Sequence, residues 1–157
     1  MANFPDSNTI DFDALFELSQ STVKPSWGSM TLQHMVEHLE LVYRRCYDGV
    51  TYDIVSPAEK SDKLKVFLKG KHALVHNFQA PFLPKEPTPY KHKDLATAIA
   101  ALKNARTRFN DFFKDKPTDF TVNHIIFGAL NYQQWVRFHD KHVGHHLAQF
   151  GMWNLEG

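Results

Sequence analysis

Two histidines near the end of the chain, His142 and His146, have the spacing of a metal-binding pair. They lie four residues apart in the run HDKHVGHHLAQF, so on an α-helix their side chains project from one face, one turn apart. Two imidazole nitrogens in this arrangement can coordinate one divalent transition-metal ion. Hydrogen-bonded core histidines show the same spacing, and the spacing alone leaves both interpretations open.

The helical periodicity around this pair predicts that it faces the protein interior. At about 100° per residue, one stripe of a helix over residues 131–152 combines aromatic and polar side chains: Trp135, His139, His142, His146, Gln149 and Trp153. Apolar residues flank the stripe and place it inward. An unpaired buried imidazole costs on the order of 1–3 kcal/mol, so the interior must supply partners, and a metal ion is an efficient one.

A third ligand is expected from the run HMVEH, which holds another pair of histidines four residues apart. On a helix over residues 30–46, His38 lies roughly 80° from the centre of the apolar stripe and His34 roughly 120°. His38 is therefore the better-placed ligand, and His34 is the alternative. A further pair, His72 and His76, has no apolar stripe to place it inward and is predicted to be solvated.

Several side chains are candidates for the surroundings of the ion. Three imidazoles leave coordination positions open for water or substrate, as in catalytic metal sites, and ligand imidazoles usually donate their second N–H to an acceptor. The candidates around the ligands or in a pocket are His34, Glu37, His124, His139, Gln149 and Trp27. His124 is equally consistent with capping a turn, and Trp27 with an ordinary core position.

Four long helical segments must position these residues. The pattern predicts them over residues 30–46, from Ser56 and Pro57 through residue 78, over residues 93–115, and over residues 131–152. Ser29 is the expected N-cap of the first, and Gly70 is expected to end or kink the second. A short helix over 11–20 precedes them, and the proline-rich run 79–93 predicts an irregular crossover. We expect an all-α four-helix bundle with a short extra N-terminal helix, in a single domain over residues 1–157.

Composition and missing motifs exclude several classes of function. The formal net charge of +1 argues against a nucleic-acid binder, and no window is long and apolar enough to cross a membrane. The single cysteine, Cys46, and a start without a basic region predict a cytoplasmic protein. The sequence has no HExxH run and no Glu three residues before a His, which argues against zincin proteases and ferritin-like di-iron proteins.

Around the predicted metal ligands, the chain resembles a DinB-like subgroup of the DinB/YfiT-like superfamily of four-helix metal-binding proteins. The resemblance covers nearly the whole chain and is carried by WGSMTLQHMVEHLE, NHIIFGAL and KHVGHHLAQFG. In that superfamily two ligand histidines four apart are often followed three residues later by Gln, a pattern met here by His142, His146 and Gln149. The remaining ligand comes from an earlier helix, which matches His38 and, less closely, His34.

The resemblance also implies a fold and a chemistry. It implies an up-down-down-up bundle, a zinc or nickel ion in the site and frequent dimerisation, here as a homodimer. Relatives in the superfamily include hydrolases and transferases that use low-molecular-weight thiols. We therefore expect a metal-dependent hydrolase or thiol-dependent transferase that acts on a small molecule. The alternative is a non-catalytic, dimeric scaffold that binds metal or a ligand, since a fold does not determine a function.

Overall fold

Helices form most of the chain, together with one small β-hairpin. The structure is a computed structural model, and it describes residues 1–18, 23–50, 53, 57–76, 86 and 88–156. Its elements in chain order are α1 (Ala14–Leu18), α2 (Leu32–Arg44), α3 (Ala58–Lys69), α4 (Leu95–Lys114), β1 (Val122–His124), β2 (Gly128–Leu130) and α5 (Tyr132–Gln149). The prediction of a mainly helical fold with four long helices is confirmed, and so is the short helix before them. The hairpin is a departure from the all-α prediction.

The helices α2 and α4 pack against each other and form one side of the core. Thr31 is the N-cap of α2 and accepts a hydrogen bond from the His34 amide, so the prediction of Ser29 in this role was wrong by two residues. Asp94 caps α4 in the same way, accepting from the Thr97 amide. Between the two helices, the Tyr43 ring meets the edge of the Phe109 ring at a centroid distance of 5.6 Å.

The other helix pair is α3 and α5. Helix α3 ends at Lys69, and Gly70 is its C-cap. Of the two predicted effects of Gly70, ending or kinking the helix, the structure therefore shows the helix end. Two cations of α5, Arg137 and Lys141, donate hydrogen bonds to this end. Arg137 donates to the carbonyls of Leu68 and Gly70, where the negative end of the helix dipole favours positive charge. The predicted start at Ser56 lies outside the described residues.

The hairpin connects α4 to α5. Strands β1 and β2 pair antiparallel, with His124 opposite Gly128 across a three-residue loop. Gly128 has φ +76°, the left-handed conformation that closes such loops and that other residues adopt at a cost. The sequence showed only brief strand-like alternation here, because each strand has three residues.

Helix α5 carries most of the candidate site and is bounded by a strong N-terminal cap. Asn131 and Gln134 form a capping box in which each side chain accepts from the other residue's backbone amide. At mid-helix, a Cβ added to Gly144 would lie 2.7 Å from Cδ of Pro5, so this glycine lets the N-terminal segment cross α5. None of the helices in the described ranges is long and apolar enough to cross a membrane.

The proline-rich crossover predicted over 79–93 falls largely outside the described residues. Its last part, residues 88–93, is held against α2 by polar side chains. The run TYDIV, in which polar and apolar residues alternate briefly as in a strand, also lies mostly outside the described residues.

Candidate metal centre

Three imidazoles from two helices converge at one point in the interior. The Nε2 atom of His142 lies 2.9 Å from Nε2 of His38 and 3.2 Å from Nε2 of His146. One ligand atom from each of the three residues lies within 4.8 Å of the others, an arrangement that can hold a metal ion. The structure therefore brings together His38 of α2 with His142 and His146 of α5, the three residues that the sequence predicts as ligands.

Gln149 determines which nitrogen of His146 is free. The side-chain amide of Gln149 donates to the carbonyl of Trp27 at 2.8 Å, so its carbonyl oxygen is the atom that faces His146 Nδ1 at 2.9 Å. A carbonyl oxygen only accepts, and Nδ1 must therefore carry the proton. In the neutral ring Nε2 then presents a lone pair to the centre of the cluster, as a metal ligand does.

The close contacts among the three nitrogens are hard to satisfy by hydrogen bonding alone. If His142 Nε2 is unprotonated, its lone pair faces the lone pair of His146 Nε2 at 3.2 Å. If it is protonated, one N–H must serve both neighbours, at 2.9 and 3.2 Å. A cation at the centre satisfies three lone pairs at once, so this geometry favours metal ligation over a hydrogen-bonded cluster.

Burial keeps the three rings in the neutral form that metal ligation requires. Desolvation, assisted by the Arg45 guanidinium and His145, lowers the pKa of His38 to about 4. Desolvation and the nearby His38 lower the pKa of His146 to about 3, against a small opposing effect of Gln149. The pKa of His142 lies well below its usual value for the same reason, reinforced by the neighbouring imidazoles.

Two candidates on α2 lie away from the three nitrogens and hold the crossover instead. His34 bonds to the hydroxyl of Thr31 and the carbonyl of Thr88. The Glu37 carboxylate accepts from the backbone amides of Lys91 and His92. Burial raises the pKa of Glu37, but these hydrogen bonds and one from Gln33 outweigh it, so that the pKa is lowered overall. Neither side chain is hydrogen-bonded to the cluster in the part of the chain that the structure describes.

His124 caps the hairpin turn, the second of the two roles expected for it. Its Nδ1 atom accepts from the backbone amides of Ile126 and Phe127. The ring is buried and packs on Phe138, which in turn stacks on His142 with a centroid distance of 5.2 Å. Desolvation, with a smaller effect of Arg45, lowers the pKa of His124 to about 3. It therefore supports the site through packing.

His139 and Trp27 have different relations to the cluster. His139 is fully buried and stacks on the Tyr43 ring at 3.8 Å, with no hydrogen bond from either ring nitrogen among the described residues. It belongs to the aromatic core. Trp27 is linked to the site, because its carbonyl anchors Gln149 and its indole stacks on the His76 ring at 3.7 Å.

His145 borders the cluster and was not predicted from the sequence. Its ring meets the His146 ring edge-on at 5.0 Å and the Trp27 ring at 5.5 Å. On the solvent side, the His145 ring contacts the ring of His76. His72 and His76 are both exposed, as the sequence predicts for this pair. Its position next to His146 in the chain could have indicated that His145 lies near the site. However, His145 lies outside the stripe of α5 that the sequence predicts to face inward.

Removing the acceptor of Gln149 is expected to weaken metal binding. In Gln149→Leu, His146 loses the bond that sets its tautomer, and outer partners of this kind contribute 10–100-fold in metal affinity. We expect the zinc dissociation constant, measured by competition with a chromophoric chelator, to rise by about that factor at unchanged stoichiometry. Gln149→Glu keeps an acceptor and should retain most of the affinity.

The control is Gln133→Leu, at an exposed position of the same helix. Equal zinc affinity in Gln149→Leu and Gln133→Leu would show that Gln149 does not orient a ligand.

Comparison with known proteins identifies a family and no chemistry. A family model described as "Protein of unknown function (DUF1569)" matches residues 3–152, which is nearly the whole chain. Neither the curated proteins nor the solved structures contain a significant match.

Proposed function

We propose that this chain, which belongs to the DUF1569 family of proteins of unknown function, is a metal-dependent enzyme that acts on a small molecule. The proposed ligands are His38, His142 and His146, and the proposed ion is zinc or nickel. The observation that carries the proposal is the convergence of three Nε2 atoms at a point where a cation satisfies their lone pairs better than hydrogen bonding does. A hydrolase or a low-molecular-weight thiol-dependent transferase fits such a site best.

The spacing of the nitrogens fits one ion. Two imidazole nitrogens 2.0–2.1 Å from a tetrahedral zinc ion lie about 3.3 Å apart, close to the 2.9 and 3.2 Å that separate His142 from its two neighbours. All three ligand nitrogens lie within 4.8 Å of one another. Three neutral nitrogen ligands suit zinc and nickel better than the hard, oxygen-preferring cations magnesium and calcium.

The chemistry of a three-histidine site follows from its incomplete coordination. A divalent ion bound in this way lowers the pKa of a bound water to about 7, or binds a thiol as the thiolate. The protein itself keeps the three imidazoles neutral and sets the tautomer of His146 through Gln149. It also excludes bulk water from the rings of His142 and His146, which are 8% and 7% exposed.

The proposal includes the bundle arrangement of the DinB/YfiT-like superfamily. Its support is the packing of α2 on α4 and of α3 on α5, with ligands supplied by α2 and α5. In bundles of this kind, metal sites are built from side chains on facing helices. Homodimerisation remains a prediction.

Cobalt substitution tests whether the metal keeps an open position. With the metal-free protein reconstituted with one equivalent of cobalt(II), we expect visible absorption bands that change when a low-molecular-weight thiol such as 2-mercaptoethanol is added, because sulfur enters the coordination sphere. The His38→Ala variant should show weaker, altered bands. A spectrum that thiol, azide and pH all leave unchanged would favour the alternative, a non-catalytic scaffold with a closed site.

A further inference from the structure

An N-terminal segment crosses α5 on the side opposite the proposed ligands. We call residues 2–10 the N-terminal strap. Its contacts on α5 are with four residues: Arg137, Asp140, Lys141 and Gly144. These positions recur every three or four residues, so they share one face of the helix. At about 100° per residue, the centre of this face lies roughly 170° from the centre of the face that carries His142 and His146. The strap therefore packs on the outer side of α5.

The strap approaches the α5 backbone closely. Pro5 is buried, and a Cβ added to Gly144 would lie 2.7 Å from its Cδ atom, so a larger residue at this position would push the strap away. The Phe4 ring lies 4.3 Å from the Lys141 ammonium and 5.0 Å from the Arg137 guanidinium, both cation–π distances. These contacts hold the strap along about two turns of α5.

Hydrogen bonds join the strap to α4 as well as to α5. The Ser7 amide donates to the Asp140 carboxylate of α5 at 2.9 Å. The Arg106 guanidinium of α4 donates to the Ile10 carbonyl at 2.8 Å and to the Ser7 carbonyl at 3.4 Å. Ser7 is 1% exposed, and buried backbone groups are costly without partners. The same short stretch of strap is therefore bonded to both helices.

This connection bears on the metal site because the proposed ligands are divided between two helix pairs. His38 lies on α2, which packs on α4, whereas His142 and His146 lie on α5, which packs on α3. The Nε2 atoms of His38 and His142 are 2.9 Å apart, and metal–ligand distances vary by only about 0.2 Å. A link between α4 and α5 can therefore affect how well His38 meets the other two ligands.

We propose that the N-terminal strap sets the separation of the two helix pairs, and that Asp140 and Arg106 are positioning residues of the metal site. The inference rests on the proposed function, which it extends to residues that act through the ligands without touching the ion. The strap cannot shift along α5 without breaking its bond to Asp140, nor away from α4 without breaking its bonds to Arg106.

The first arm of the test measures the separation of α4 and α5 in the metal-free protein. Spin labels at Asn104 of α4 and Gln133 of α5, both exposed, report this distance by pulsed electron paramagnetic resonance. Asp140→Ala is expected to shift or broaden the distance distribution, because α5 loses its bond to the strap. Asp140→Asn keeps an acceptor for the Ser7 amide and should restore the wild-type distribution. Identical distributions in Asp140→Ala and the wild type would overturn the proposal.

The second arm measures zinc affinity by competition with a chromophoric chelator. Asp140→Ala and Gly144→Ala should each weaken zinc binding about three- to thirtyfold, the range for residues that act through a packed network. Alanine favours the helix over glycine, so Gly144→Ala displaces Pro5 without weakening α5 itself. Asp140→Asn should stay within about twofold of the wild type. If Asp140→Ala is unfolded by circular dichroism, Gly144→Ala decides in both arms.

Asp13→Ala is the matched control. The Asp13 carboxylate accepts from Lys103 of α4 at 2.7 Å, a bond that joins the N-terminal part of the chain to α4 without involving α5. This variant should leave the distance distribution and the zinc affinity unchanged, even where its Tm falls as far as that of Asp140→Ala. If zinc affinity follows Tm equally in both variants, or falls in neither, the positioning role is wrong. A wild-type protein that binds neither zinc nor cobalt would refute the proposed function, and the metal-free distances would still test the strap.

Discussion

The purified, tag-free protein is expected to contain about one divalent ion per chain, and the His142→Ala/His146→Ala variant to contain almost none. Both residues contribute Nε2 atoms to the cluster that can hold a metal ion, so the double variant keeps one of three ligands. Loss of outer partners alone costs 10–100-fold in affinity, and loss of two ligands should exceed about hundredfold. Elemental analysis by plasma mass spectrometry measures the content directly.

A matched control exists in the same chain. His72 and His76 are also four residues apart, but both are exposed and lie outside the cluster. The His72→Ala/His76→Ala variant should keep its ion, which would show that spacing alone does not bind the metal. If the folded His142→Ala/His146→Ala variant retains a full ion, the ligand assignment is wrong. A wild-type protein that holds no ion and is not stabilised by zinc or nickel would leave a histidine-rich core.

The Lys141→Met variant is expected to lose about 3–5 kcal/mol of unfolding free energy. Lys141 has no exposed surface, and its ammonium donates to the carbonyls of Gly70 at 2.9 Å and His72 at 2.7 Å. It also lies 4.3 Å from the centroid of the Phe4 ring, a cation–π distance. Methionine fills a similar volume but removes two charge-assisted hydrogen bonds, each worth roughly 1.5–3 kcal/mol. The His72 carbonyl loses its Lys141 donor, whereas the Gly70 carbonyl still accepts from Arg137.

Thermal unfolding followed by circular dichroism measures this loss. For a domain of this size about 1 kcal/mol corresponds to 2–4 °C, so a fall in Tm of roughly 10 °C is expected. Burial and the nearby Arg137 lower the pKa of Lys141 to about 8, so the amine still carries its proton at pH 7. Lys63→Met, at an exposed position of α3, is the control and should shift Tm little. Similar Tm values for the two variants would show that Lys141 does not join α5 to α3.

The effect bears on function because Lys141 precedes His142 in the chain. Its two hydrogen bonds tie α5, next to a proposed ligand, to the residues that directly follow α3. Metal affinity measured on Lys141→Met at a temperature where it is folded would show whether this anchoring also positions the ligand.

Local patterns in the sequence were sufficient to predict the helices and the inward face of α5. Helical periodicity depends on residues a few positions apart, so the predicted helix over 131–152 agrees with Tyr132–Gln149 to within three residues. The same geometry ranked His38 above His34, and the structure brings His38 to the cluster while His34 bonds to the crossover. Angular position on a single helix decided this choice, and no tertiary information was needed.

Contacts between distant segments could not be derived in this way. Glu37 lies one residue from His38 and resembles a partner for a ligand, yet its carboxylate accepts from Lys91 and His92, more than fifty residues later in the chain. The link from Gln149 to the Trp27 carbonyl spans 122 positions. Hydrogen bonds over such separations depend on how the elements pack, which periodicity does not encode.

The sequence by itself determined that His142 and His146 share one face of a helix, since a spacing of four residues means one turn wherever a helix forms. Only the tertiary structure decided that His38 meets them and that Gln149 leaves the lone pair of His146 Nε2 facing inward. The physical reason is the range of the interactions. Helix geometry is a local property of the chain, whereas a metal site and its pocket exist only where separate helices pack together.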